Sequence, residues 1–91
     1  AALAEFLKGA RAGNVNSQFM AGYLFLSEEP TGKPNGVAGY AWVEVSRLNG
    51  YEGAIDVTSF LDYRLKEGEL TLAKALARRC LSSKYGDCPK L

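Results

Sequence analysis

Two cysteines, Cys80 and Cys88, are the residues whose type and spacing point most directly to a covalent chemistry. They bracket the end of a helical pattern and the following turn, which contains Gly86. Such a turn can bring two alpha carbons within the roughly 6 Å that a disulfide needs. We therefore predict a disulfide that holds the chain end against the last helix. Since disulfides persist in oxidising compartments, this predicts a secreted protein or one of the bacterial periplasm.

Alternatively, the two cysteines do not form a disulfide. Cys80 then packs in the core as a small apolar residue, and Cys88 is an unrelated, exposed thiol. In that case the argument for export falls, and a cytoplasmic location stays open.

The residue types in this chain give little support for catalysis or for metal binding. The chain contains no histidine, which removes the commonest general base and every nucleophile activated by it. Structural zinc needs four sulfur or imidazole ligands, and two cysteines do not supply them. We predict no enzyme, no metal site and no cofactor.

Pairs of carboxylates and a possible phosphate loop do not change that prediction. Asp56 and Asp62 are six positions apart on a predicted helix, so they do not share a face. Glu28-Glu29 is interpreted as a solvated pair of charges. Thr31-Gly32-Lys33 lacks the spacing of a phosphate loop, because Pro34 stands where a hydroxyl residue is required.

The elements that must position these residues are predicted to be helices. Apolar residues recur at helical intervals in successive segments. The first two of these predicted helices are separated by a segment that contains Pro30, Gly32, Pro34 and Gly36. The stripe before the break consists of Phe19, Met20, Tyr23, Leu24 and Leu26. The stripe after it consists of Val37, Ala41, Val45 and Leu48. A third stripe, within 52–66, consists of Ala54, Val57, Phe60, Leu61 and Leu65, and the last consists of Leu70, Ala73, Leu76, Ala77, Cys80 and Leu81.

Polar residues and glycines mark where these helices begin and end. Asn14 or Asn16 is predicted to cap the first of the four helices, and Asn35 the next. Asn49-Gly50 is predicted to end that second helix in a left-handed conformation. Gly68 is predicted to separate the last two helices.

Small and aromatic residues follow a recognisable order between positions 17 and 50. They are Ser17-Gln18-Phe19, Ala21-Gly22, Phe25, Tyr40-Ala41-Trp42 and Gly50. This order resembles the Sel-one-like repeat, a relative of the tetratricopeptide repeat. The resemblance implies an all-α fold of about five helices, in which antiparallel helix pairs stack as an α-α superhelix. It implies one domain over 1–91, with a helix of a preceding unit at 1–13, one complete repeat at 17–50 and capping helices at 52–85.

The resemblance also implies roles for the residues that carry it. Ala21 and Gly22 let helices approach closely, and Trp42, flanked by Tyr40 and Ala41, packs between the two helices of its unit. The chain departs from the family pattern at Gly39 and Ser46, where alanine is expected. It also has Phe25 where tyrosine is usual.

Length, composition and charge agree with a small binding domain. The chain has 91 residues, of which 47% are hydrophobic, and a formal net charge of +1. This charge provides no broad field for nucleic acid or anionic lipid, and no window has the apolar length of a membrane span, so neither interaction is predicted.

We predict a non-catalytic adaptor that binds a protein or peptide on the concave face of the stacked helices. The candidate partner-binding residues are Asn14, Gln18, Tyr23 and Phe25, although the aromatic pair also suits core packing. Two alternatives stay open. The chain is a terminal cap or fragment of a longer array without a binding role, or it forms a homodimer through uncovered repeat ends.

Overall fold

The computed structural model describes residues 2–27 and 34–90, and it contains five α-helices and no strand within those ranges. The helices are α1 (Ala2–Arg11), α2 (Val15–Leu26), α3 (Gly36–Leu48), α4 (Gly53–Arg64) and α5 (Glu67–Ser82). The prediction of an all-α protein with about five helices is confirmed. The predictions made for Glu28-Glu29, Pro30 and Thr31-Gly32-Lys33 lie outside the described residues.

Side-chain caps begin α2 and α3, and a left-handed glycine follows α3, as predicted. The Asn14 Oδ1 atom accepts a hydrogen bond from the Ser17 amide at 2.8 Å, and Asn16 lies inside α2. Asn35 caps α3 by accepting from the Ala38 amide at 3.0 Å. Gly50, just after α3, has a φ of +92°, a value that glycine adopts without the strain of a Cβ atom.

The boundary between α4 and α5 differs from the prediction at Gly68. The chain breaks earlier, where Leu65 and Lys66 adopt extended backbone, and Gly68 lies inside the first turn of α5. The Glu69 carboxylate accepts from the Lys66 amide at 2.9 Å and so caps the new helix.

The core forms around α3, which packs against α2, α4 and α5, while α1 packs against α2. Trp42 is fully buried in a cluster that takes Leu3 and Leu7 from α1, Phe25 from α2 and Ala77 from α5. The surroundings of Trp42 therefore extend beyond the two helices of its predicted unit. Trp42 lies where four helices meet.

The buried face of α2 is not the predicted stripe. Its buried residues are Gln18, Ala21, Gly22 and Phe25, whereas Tyr23 is exposed. The physical reason is the close contact with α3, which selects small residues rather than bulky ones.

Glycines make this contact possible. A Cβ atom on Gly22 would lie 2.8 Å from both the Val43 nitrogen and the Gly39 carbonyl oxygen. A Cβ atom on Gly39 would lie 3.0 Å from the Gly22 carbonyl oxygen. The two helices thus meet backbone to backbone at Gly22 and Gly39.

A buried amide links three helices. The Gln18 Nε2 atom donates to the Ala10 carbonyl at 3.2 Å, and its Oε1 atom accepts from Asn49 at 2.9 Å. The Asn49 amide also donates to the Tyr85 hydroxyl at 3.1 Å. Because buried polar groups are costly when unpaired, this network fixes the ends of α1 and α3 relative to α2.

The predicted disulfide between Cys80 and Cys88 is present, with the two alpha carbons 4.4 Å apart. Cys88 is buried against the core, and the Asp87 amide donates to the Ser83 hydroxyl at 2.9 Å. The next residue, Pro89, accepts a hydrogen bond from Trp42 Nε1 at 2.8 Å. The disulfide therefore holds the chain end over the central tryptophan.

Candidate partner-binding groove

An apolar groove of about 600 Å³ runs between the last turns of α2 and one face of α4. Tyr23 and Leu26 line it from α2, and Pro34 and Gly36 line it at the start of α3. The lining residues from α4 and just beyond it are Asp56, Val57, Phe60, Leu61, Arg64 and Leu65. The groove therefore lies between α2, the first helix of the predicted repeat, and α4, the first of the predicted capping helices.

The spacing of residues along α4 explains why this side of the helix is apolar. Val57, Leu61 and Leu65 recur every four positions, and they pack in a small cluster with Tyr40 and Ala73. Leu65 also contacts the start of α3, since a Cβ atom on Gly36 would meet its Cδ2 atom at 2.6 Å. These contacts anchor the inner edge of α4 and leave its neighbouring face open.

Two aromatic side chains stand at the open edge of the groove. Phe60 is 57% exposed and Tyr23 is 52% exposed, although both line the groove. Half-exposed aromatic residues beside an apolar depression are the type of residue that contributes most to binding partners. They supply apolar surface that a partner can remove from water.

A charged residue stands at each end of the α4 side of the groove. Asp56 lies in the first turn of α4 and Arg64 in its last turn. The Arg64 guanidinium lies 5.0 Å from the centre of the Phe60 ring. Among the residues that the structure describes, neither Asp56 nor Arg64 has an ion-pair partner.

The structure distributes the four predicted partner-binding residues between core and surface. Gln18 and Phe25 are buried in the core and present no surface to a partner. Asn14 is exposed but serves as the cap of α2. Tyr23 is the member of the set that lines the groove.

The predicted repeat-packing residues are mostly internal. Buried members of the set are Ala21, Gly22, Tyr40, Ala41 and Trp42. Gly50 is exposed, and a Cβ atom there would meet nothing within 4 Å, so its role is to end α3.

Phe60 and Arg64 are site residues that the sequence reasoning missed. It placed Phe60 in the core stripe with Leu61, yet two adjacent helical residues point about 100° apart and do not share one narrow face. The four-residue repeat of Val57, Leu61 and Leu65 was the signal that sets Phe60 outside the buried stripe.

A second, polar cleft of about 430 Å³ lies where α3, α4 and α5 meet. The Tyr40 hydroxyl donates to Asp62 at 2.9 Å, and Arg47 donates to both carboxylate oxygens of Glu44 at 2.6 and 2.7 Å. Burial, and then the hydrogen bond to Asp62, raise the pKa of Tyr40. The hydrogen bonds to Glu44 raise the pKa of Arg47. The hydrogen bond from Tyr40 to Asp62 joins α3 to α4, whereas the ion pair of Arg47 with Glu44 lies within α3.

Other features of functional interest are absent from the described ranges. Residues 2–27 and 34–90 hold no group of three or more side chains suited to a metal ion. In the same ranges, no helix is both long enough and apolar enough to cross a membrane.

Comparison of the chain with protein-family models, with curated proteins and with solved structures found no match. The function of the chain is therefore inferred from the groove and its residues.

Proposed function

We propose that the chain is a non-catalytic adaptor module that binds a protein or peptide in the groove between α2 and α4. The observation that carries this proposal is the pair of half-exposed aromatic residues, Tyr23 and Phe60, on an apolar groove of about 600 Å³. Apolar grooves that receive the apolar side chains of a partner are a recurring form of peptide-binding site.

A binding role without catalysis fits the ionisable groups. The chain has no histidine, and the ionisable side chains of the polar cleft, Tyr40 with Asp62 and Glu44 with Arg47, are hydrogen-bonded to each other. A catalytic acid or base must be placed to exchange a proton with a substrate. The adaptor therefore acts by holding its partner.

The proposal includes the Sel-one-like architecture that the sequence pattern resembles. Three observations support it: the antiparallel pairing of α2 with α3, the glycine contact between them, and the left-handed glycines at +94° and +92° that follow α1 and α3. In that architecture successive first helices line the concave side, and residues of both α2 and α4 line the groove.

The proposal also includes an oxidising compartment, the periplasm or the exterior of the cell. The disulfide between Cys80 and Cys88 supports it, because such bonds are rare in proteins of reducing compartments. The partner is therefore sought among proteins of the same compartment.

Selection from a random peptide library tests the adaptor role. The bait is the immobilised chain, compared with Phe60→Ser and with the matched control Tyr63→Ser. Tyr63 lies on the same helix and is 92% exposed, but it does not line the groove. We expect enriched peptides that lose binding to Phe60→Ser and keep binding to Tyr63→Ser.

Two results would contradict the proposal. The first is a selection that enriches no peptide for the folded wild-type chain. The second is a set of peptides that bind Phe60→Ser as well as they bind the wild type. Circular dichroism of each bait confirms that the variants are folded.

A further inference from the structure

We infer that the occupant of the groove is a short amphipathic helix that runs antiparallel to α4, with an acidic first turn beside Arg64 and a basic last turn beside Asp56. This inference rests on the proposed function and adds the conformation, direction and charge pattern of the partner. It follows from the backbone, the charges and the length of the groove.

The walls of the groove favour a helical partner over an extended one. Most of the wall is formed by α2 and α4, whose backbone groups are hydrogen-bonded within their own helices. An extended peptide would lose water from its amides and carbonyls and find few replacements there. A helix satisfies these groups internally and presents only side chains, as in other helix-in-groove complexes.

The apolar lining matches the spacing of such a helix. Val57, Leu61 and Leu65 stand one turn apart along α4, and Phe60 projects beside them. A partner with apolar residues four positions apart places its side chains at the same interval.

The two unpaired charges select the direction of the partner. Asp56 and Arg64 are separated by eight residues of helix, which corresponds to about 12 Å. A partner antiparallel to α4 starts near Arg64 and ends near Asp56. An acidic first turn and a basic last turn then pair with these residues, and they also complement the dipole of the partner helix itself.

A partner that runs parallel to α4 cannot both pair with these two charges and complement its own helix dipole. A parallel partner that paired with Asp56 would need a basic first turn, which its own dipole disfavours. A length of about eight to ten residues covers the distance between the two charges.

Two synthetic twelve-residue peptides test the inference. Each contains two leucines four positions apart and a side-chain lactam bridge that keeps it helical. The first peptide has glutamates in its first turn and lysines in its last turn, and the second exchanges them. Binding is measured by fluorescence anisotropy at low ionic strength, where charge effects are largest.

We expect the wild-type chain to prefer the first peptide by about fivefold, because the second peptide can form the same two ion pairs only in the parallel direction, with charges that oppose its own dipole at the ends that the lactam bridge does not hold. A nitroxide label on the first residue of the first peptide is expected to broaden amide signals near Arg64 in the wild-type chain. In the double variant Asp56→Lys/Arg64→Glu the same label is expected to broaden signals near position 56, whereas Tyr63→Ser keeps the wild-type pattern. If the double variant does not fold, Arg64→Gln serves in its place and is expected to weaken binding of the first peptide.

The outcomes separate this inference from the proposed function. Equal binding of both peptides, or a label position that the double variant leaves unchanged, overturns the inference. So does a failure of both peptides to bind when the library has yielded ligands that depend on Phe60, and in each case the adaptor role stands. A dimer in sedimentation that Phe60→Ser converts to a monomer assigns the groove to a second copy and also overturns the inference.

Discussion

Replacing Gly22 by alanine tests the contact between α2 and α3 on which the position of the groove depends. The added Cβ atom would lie 2.8 Å from the Val43 nitrogen and from the Gly39 carbonyl oxygen, and 2.6 Å from the Val43 Cγ2 atom. The Val43 side chain can rotate away, but the two backbone atoms belong to α3 and move only with that helix. The substitution therefore forces the two helices apart by roughly half an ångström before ordinary contact distances return.

Two effects of opposite sign set the magnitude. Alanine is favoured over glycine inside a helix by about 1 kcal/mol. Overpacking of a core costs about 1–3 kcal/mol, and it costs more when backbone rather than a side chain must move. We expect Gly22→Ala to lower the free energy of unfolding by about 2 kcal/mol, which lowers Tm by roughly 8–16 °C in a domain of this size.

Gly68→Ala is the matched control, because it is the same chemical change in a helix without the contact. A Cβ atom on Gly68 would meet nothing within 4 Å, so the helix preference acts alone and stability rises by about 0.5–1 kcal/mol, since Gly68 lies in the first turn of α5. Thermal unfolding followed by circular dichroism compares the two variants. A Gly22→Ala protein that is as stable as Gly68→Ala would refute the close contact.

Three further predictions concern the groups that tie the helices together. Cys80→Ser/Cys88→Ser lowers the free energy of unfolding by about 2.5 kcal/mol, the loop-closure value for a separation of eight residues; a loss below about 0.5 kcal/mol in urea titration would contradict this. Gln18→Leu removes the two hydrogen bonds of the Gln18 amide, while the Ala10 carbonyl keeps its bond from the Gly13 amide; we expect a cost of about 1–3 kcal/mol for the two bonds by the same assay, and an unchanged midpoint would count against the network. Because the pKa of Tyr40 is raised above its ordinary value of 10.0, its contribution is present below pH 10 and is lost as pH rises further. Tyr40→Phe therefore loses less stability than the wild type between pH 9 and 11, and parallel curves would refute the assignment.

The number of helices, the starts of α2 and α3 and the end of α3 followed from the sequence because they depend on neighbouring residues. Asn14 and Asn35 cap helices through bonds to amides three positions ahead, and Gly50 ends α3 by its own backbone conformation. The disulfide was also predicted, since a turn of a few residues joins Cys80 and Cys88. Each of these features needs little information from distant parts of the chain.

The buried face of α2 and the groove did not follow, because they depend on how helices pack. Apolar residues surround most of α2, so periodicity alone did not choose between Phe25 and Tyr23 as the inward side chain. The contact between Gly22 and Gly39 made that choice and turned Gln18 inward with Phe25. Phe60 became a surface residue for the same kind of reason, because Leu61 took the inward position.

Residue-resolved mapping of a bound peptide by backbone amide chemical shifts tests whether the partner binds in the groove between α2 and α4. The peptide is one recovered from the library selection, added to the isotopically labelled chain. The adaptor account predicts that the shifted amides concentrate around Tyr23 in α2 and Val57 to Leu65 in and after α4. Shifts confined to α1 and the disulfide-bound chain end, with α4 unchanged, would contradict it.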